Sequence, residues 1–266
     1  MKVEGNLIDI QEWTETTIET TIKVNPQFQI WLITNGQLDL LVNGTRSRLR
    51  SGMALILDRG QIVKVEPKGE PFRLVVISVE PLDLFSPSLA ELYVTPHAET
   101  SRSKVLHPGE PGDKSVLDII DKVIRSLKKK SSFALLDASL QLAVIWRYWI
   151  QQPQSGTKHH VQERMRLMLA YIHDHDTMKL TLEDIAATGG LSRAECCRYF
   201  TKWGDTSPLA YVQNVRMHRA ARLVEESKEP IADLAHRLGY TSVSHFVQSF
   251  KKVHAVTPLA YRKRQT

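Results

Sequence analysis

The pentapeptide Ser207-Pro208-Leu209-Ala210-Tyr211 returns fifty residues later as Thr257-Pro258-Leu259-Ala260-Tyr261. The echo extends upstream: Leu182-Glu183-Asp184-Ile185-Ala186 answers Ile231-Ala232-Asp233-Leu234-Ala235, and Gly190-Leu191 answers Gly239-Tyr240. After a one-residue insertion, Phe200-Thr201-Lys202 answers Phe250-Lys251-Lys252. A stretch written twice must satisfy one local structure twice, so the C-terminal part of the chain is expected to be a duplicated unit. Each copy reads as a helix, a glycine turn, a second helix, a short connector and the start of a third helix.

Two helices joined by a tight turn containing Gly make a helix-turn-helix, whose second helix lies in the major groove of DNA. Thr181 with Asp184, and Ser192 with Glu195, have the spacing of capping boxes. Pro230 suits the first turn of the matching helix in the second copy. Ile185, Ala186, Cys196, Tyr199 and Phe200 are expected to pack the first pair together. In the repeated pentapeptide, Ser207 or Thr257 caps a helix and Pro208 or Pro258 takes its first position, with the following Leu and Tyr as anchors. Between the copies a helix is expected over 209–226, with Val212, Val215, Ala220 and Leu223 along one side and Arg216, Arg219 and Arg222 on the others. Such a rod spans ~27 Å at ~1.5 Å per residue. Successive major-groove faces lie ~34 Å apart, so it can hold two reading heads at a fitting separation.

Charge points the same way. The formal net charge is +6, and residues 161–266 hold 16 Lys/Arg against 11 Asp/Glu. Residues 1–160 hold 19 against 18, so the basic excess that would favour an anionic partner lies in the C-terminal part. The two cysteines are adjacent, at Cys196 and Cys197, which gives neither a disulfide framework nor zinc spacing. His173, His175, His159 and His160 show no closed four-ligand spacing, and no metal is expected. The start of the chain lacks the apolar run of a signal peptide. The most hydrophobic stretch, 133–150, is interrupted by Asp137, Gln141 and Arg147, so a buried helix is expected there and no membrane span.

From about 18 to 80 the text changes to short runs rich in Ile, Val, Leu and Thr, punctuated by Asn35-Gly36, Asn43-Gly44, Ser51-Gly52 and Arg59-Gly60. Asn-Gly is the strongest short hairpin signal, and evenly spaced antiparallel strands predict a small barrel or sandwich. Residues 81–114 read as irregular. Helices follow over 115–130 and 132–151; the second is apolar around much of its circumference, and part of that surface is expected to form a dimer interface. The aromatic run Trp146–Trp149 reads as core or interface. Polar 152–160, with Pro and Gly, reads as a linker between parts 1–151 and 161–266.

Residues 163–264 resemble the DNA-binding domain of the AraC/XylS family of bacterial transcription regulators. The resemblance is carried by LEDIA, GGLS, RYFTK, NVRMHRAARLV, PIADLAHRLGYTSVSHFVQSFKK and TPLAYR. Ala194, Cys196 and Cys197 stand where the family commonly has larger residues. The N-terminal half looks like the cupin-type sensing and dimerisation domain these regulators often carry. Metal-dependent cupins use two histidines and a carboxylate on the strands, whereas no histidine precedes His97 here. The resemblance therefore implies an α+β protein: a cupin-like β-barrel with two dimerisation helices, then an all-α domain of two helix-turn-helix motifs joined by a linker helix. It implies a cytoplasmic, homodimeric, sequence-specific regulator of transcription, an activator working with RNA polymerase and responding to a small-molecule effector. Enzyme activity and a cofactor are not expected. The alternatives are a non-specific architectural DNA binder, or a barrel enzyme with a DNA-binding appendage.

On the first recognition helix, 192–202, Arg193 and Arg198 suit guanine or phosphate, and Ala194 and Cys197 suit a thymine methyl. On the second, about 242–251, Ser244, His245 and Gln248 lie opposite Phe246 and Phe250, with Gln248 suited to adenine. Ser192, Lys202, Lys251, Lys252 and Arg262 are the candidates for phosphate contact.

Overall fold

Nine strands form among the described residues of the computed structural model: β1 (Ile8–Thr14), β2 (Lys23–Val24), β3 (Phe28–Asn35), β4 (Gln37–Val42), β5 (Thr45–Arg50), β6 (Ala54–Leu57), β7 (Ile62–Glu66), β8 (Arg73–Val79) and β9 (Ser103–Leu106). The structure describes residues 7–14, 18, 20–98, 100, 102–129, 131–153, 159–176 and 180–265. It divides into two compact units, 1–162 and 163–266.

The turn chemistry read from the sequence sets the hairpins. Asn43 and Gly44 both take positive φ, 49° and 76°, the two-residue turn that matches strand twist. At Gly36 a Cβ would come within 2.2 Å of the Pro71 carbonyl oxygen, so only glycine fits. The strands form two facing antiparallel sheets and not a closed barrel: β1-β8-β3-β6-β9 and β2-β7-β4-β5. The first sheet is buried on both sides. On β8, Leu74 and Val76 enter the core between the sheets, while Val75, Ile77 and Val79 enter a second core beneath two helices. That is why the strand is apolar almost throughout. By contrast β5 turns Arg46, Arg48 and Arg50 to solvent.

Residues 81–114 are more ordered than their sequence suggests. They hold short 3-10 helices at Pro81–Leu84 and Thr95–His97, the helix α1 (Pro87–Tyr93) and β9. β9 pairs with β6, Leu106 opposite Ala54 and Ser103 opposite Leu57; four residues are too few to show a period. The strand β1 also lies outside the expected region, because IDIQEWT is half polar. Two helices cover the sheet, α2 (Pro111–Lys128) and α3 (Ala134–Ile150). Ala138, Leu142, Ile145, Trp146 and Trp149 of α3 are buried, and Phe28 meets Trp146 edge-on at 5.4 Å. The aromatic run is therefore core. The opposite face of α3 leaves Phe133, Leu136, Leu140 and Val144 exposed. The expected linker falls largely outside the described residues.

The second unit begins within α4 (His159–Asp174) and continues through α5 (Leu182–Thr188), α6 (Arg193–Gly204), α7 (Pro208–Glu226), α8 (Ile231–Arg237), α9 (Val243–His254) and α10 (Pro258–Gln265). The repeat is structural down to single dihedral angles. Gly190 and Gly239, at the two inter-helix turns, have φ of 61° and 81°. Asp205 and Ala255, which end α6 and α9, are both left-handed at 47° and 62°. Both predicted capping boxes form, at Thr181/Asp184 and Ser192/Glu195. Pro230 stands at the N-cap of α8, one place before the position read from the sequence.

The repeated pentapeptide is a helix start in both copies. Ser207 Oγ accepts from the Ala210 amide at 3.2 Å, and Thr257 Oγ1 from the Ala260 amide at 3.3 Å. Tyr211 is fully buried and its hydroxyl meets His173 Nε2 at 2.9 Å. Tyr261 packs on Phe250 and His254. The leucines do not anchor: Leu209 and Leu259 are 51% and 53% exposed, because each points out of the first helical turn on the side away from its tyrosine.

Candidate nucleic-acid interface

The core of each helix-turn-helix decides which side of its second helix remains available. In the first, Ile185, Ala186, Cys196 and Phe200 are buried, while Tyr199 is only half-buried. Their burial leaves Ser192, Arg193, Ala194, Arg198 and Lys202 exposed, with Cys197 half-buried at the margin. In the second, Leu234, Ala235, Phe246 and Phe250 are buried, leaving Ser244, His245, Gln248, Lys251 and Lys252 exposed. Each set recurs three or four residues apart, so it forms one stripe along its helix. The two stripes stand at equivalent places of the repeat: Ala194 with Ser244, Arg198 with Gln248, Lys202 with Lys252.

The tips of the two helices differ in charge. At α6 the Glu195 carboxylate accepts from both the hydroxyl and the amide of Ser192, at 2.7 and 2.9 Å. Those bonds hold the Glu195 carboxyl below its usual range. The Ser192 hydroxyl is thus committed to the cap. Arg193 pairs with Glu183 at 2.9 Å across the motif. At α9 the cap is Ser242, whose Oγ faces the His245 amide at 3.4 Å, and no carboxylate takes part in it. The second tip therefore offers its amides and helix dipole to a phosphate more openly than the first.

Other basic residues are turned inward. Arg262 Nε donates to the Val224 carbonyl at 3.1 Å, near the end of α7. Arg216 Nε donates to the Asp176 carbonyl at 2.9 Å, and Arg219 pairs with the Asp176 carboxylate. These contacts brace α7 against the end of α4. One residue that sequence reasoning passed over supports the second reading helix. Tyr240 is buried, accepts from Gln213 Nε2 of α7 at 2.6 Å and packs on His245 and Phe246. Its place just after Gly239 in the inter-helix turn was the available signal.

Cys196 lacks the setting of a reactive thiol, and Cys197 beside it is half-buried. Cys196 is buried against Met168, and burial pushes its thiol up to about 11. Among the described residues no cluster of three or more His, Cys, Asp or Glu side chains could hold a metal, and no helix is long and apolar enough to cross a membrane.

In the first unit, the core between the sheets is built mostly from aliphatic side chains, and Phe72 joins them. Trp13 and Trp31 pack on that core and remain half-buried. Trp31 Nε1 donates to Gln29 Oε1 at 2.9 Å, and Gln29 Nε2 to Ser78 Oγ at 3.0 Å. Lys23 lies 5.9 Å from the Trp13 ring centroid.

Residues 7–144 match the family model of the AraC-like ligand binding domain, and residues 185–264 match a helix-turn-helix domain. The chain is 30% identical over 247 residues to the HTH-type transcriptional regulator YdeC of Bacillus subtilis (strain 168), covering 89% of this chain and 84% of that protein. It is 20% identical to the lactose operon transcription activator of Staphylococcus xylosus, over 87% of this chain and 82% of that one. Among solved structures, apo ToxT from Vibrio cholerae aligns over 100% of both chains with 12% identity and a TM-score of 0.49. The chain belongs to the AraC family of transcriptional regulators, with an N-terminal ligand-binding domain and a C-terminal helix-turn-helix DNA-binding domain.

Proposed function

We propose that this regulator reads two short blocks of DNA with α6 and α9, held at a fixed separation by α7, and that it activates transcription with RNA polymerase as a homodimer. The observation that carries this reading is the pair of exposed polar stripes at equivalent places of the repeat, one at each end of a shared helix. Arg193, Ala194, Cys197 and Arg198 would face bases from α6, and Ser244, His245 and Gln248 from α9. Lys202, Lys251 and Lys252 would meet phosphates. The exposed stripe Phe133, Leu136, Leu140 and Val144 on α3 is the candidate dimer face. A small effector would enter the first unit beside Trp13, Trp31 and Gln29, where half-buried aromatic faces meet hydrogen-bonding groups. No catalytic role is assigned to any residue.

Selection of bound sequences from a random duplex pool, with full-length protein near physiological salt, tests the reading. Two enriched blocks about one helical turn apart are expected. A single block would leave α6 as a backbone clamp. No enrichment, with binding that collapses steeply as salt rises, would mean non-specific phosphate binding and would sink the proposal.

A further inference from the structure

The helix α1 turns an apolar face to water. Leu89, Leu92 and Tyr93 recur at spacings of three and four residues, which puts them on one side of α1, and all three are exposed. Only Ala90 of this helix is buried. Leu82, in the 3-10 helix just before it, is exposed as well. This face adjoins α3. The 3-10 helix packs against α3, and Trp146 Nε1 donates to the Tyr93 carbonyl at 3.0 Å. On α3, Trp146 shares a row with Ser139 and Ala143, both half-buried. The next row round the helix holds the exposed Leu136 and Leu140. Apolar α1 therefore stands beside the C-terminal half of α3, on the Leu136 side of its uncovered stripe.

Area marks this surface as an interface. The α3 residues Phe133, Leu136, Leu140 and Val144, and the neighbouring Leu82, Leu89, Leu92 and Tyr93, are each 42% to 65% exposed. At ~200 Å² for a large apolar residue fully exposed, each set of four presents ~400 Å². A patch of ~400 Å² is ordinary on a monomer, whose largest runs to ~300–600 Å². The two sets joined reach ~800 Å², beyond that range and equal to one partner's share of a specific interface. Charge points to the occupant. The α3 stripe carries exposed Asp137 towards one end and exposed Arg147 at the other. An isologous contact presents one face twice, so that residue i meets j and j meets i. Antiparallel pairing with the α3 of a second copy, centred between Leu140 and Val144, sets Asp137 opposite Arg147 at both ends. The same register lays Leu136 of one copy along the C-terminal half of the other α3, where α1 lies. A twofold axis of this kind also keeps both α1 helices on one side of the helix pair.

Resting on the reading of α3 as the dimer face, we propose that the apolar face of α1 is a seat for Leu136 and Phe133 of a second copy. Two symmetry-related seats then complete the dimer that the α3 stripe begins. The Asp137–Arg147 pairs set the register, since exposed ion pairs add little affinity, and the apolar seats supply the buried area that the stripe alone lacks.

Sedimentation of the full chain over a concentration series tests the seat. Leu92→Glu with Tyr93→Ser changes only exposed side chains and keeps the Tyr93 carbonyl that Trp146 holds, so the helical signal should be unaltered. The dimer dissociation constant of this variant should rise roughly tenfold or more. Asp137→Arg should also weaken the dimer, and adding Arg147→Asp should restore it, because the double swap rebuilds each pair with its signs reversed. An unchanged dissociation constant in the α1 variant would overturn the seat and leave the α3 dimer standing. An Asp137→Arg variant that weakens nothing, or that Arg147→Asp fails to restore, would overturn the antiparallel register on which the seat depends. A wild-type monomer would remove the α3 interface and the seat together.

Discussion

Gln248 and Arg198 occupy the same place in two copies of one helix, and both are exposed, yet their chemistry differs. Gln248 can pair with adenine and Arg198 with guanine or a phosphate. Replacing either by Ala should cost ~1–3 kcal/mol of specific affinity and relax preference only in its own block. Binding titrations on duplexes mutated block by block would read this; curves and preferences unchanged by both substitutions would refute the assignment. The exposure of these residues was legible in the sequence, because Phe246, Phe250, Cys196 and Phe200 fix the buried side of each helix. The fate of Leu209 and Leu259 was not. An apolar letter in a first helical turn does not say whether the neighbouring helix reaches that far. Nor could the sequence show Asp58 beside Trp149, since 91 residues separate them. Their meeting depends on how a sheet and a helix pack, and periodicity carries no information about that.

Helices with strong periodicity and chemical stops were read within a few residues. For α7, Pro208 and its Ser207 cap mark the start, and the capping boxes mark α5 and α6. Short or one-sided elements escaped: β9 has four residues, and α1 sits in a stretch rich in Pro and Ser. The element that now bears most on function is α3. Its buried face is spoken for by the sheet and α2, but Phe133, Leu136, Leu140 and Val144 form an uncovered stripe. Leu136→Glu with Leu140→Glu places charge on that stripe without entering the core, so folding should survive. If α3 forms the dimer face, sedimentation at micromolar concentration should show the wild type as a dimer and the double variant as a monomer. A wild-type monomer, with and without DNA, would remove α3 from this role.

At the scale of the whole molecule, two units carry two tasks, and the charge asymmetry of the sequence already divided them. The second unit is two copies of one motif around a shared α7 of 19 residues, about 28 Å of rigid helix at ~1.5 Å per residue. A rod of that length should tolerate only one spacing between its two targets. The decisive measurement is the affinity of full-length protein for its selected duplex after five base pairs are inserted between the blocks. The account predicts that this half-turn, which rotates one block to the opposite side of the DNA, drops affinity to that of a single block. Affinity undiminished by the insertion would mean that α6 and α9 do not read DNA together as one rigid pair.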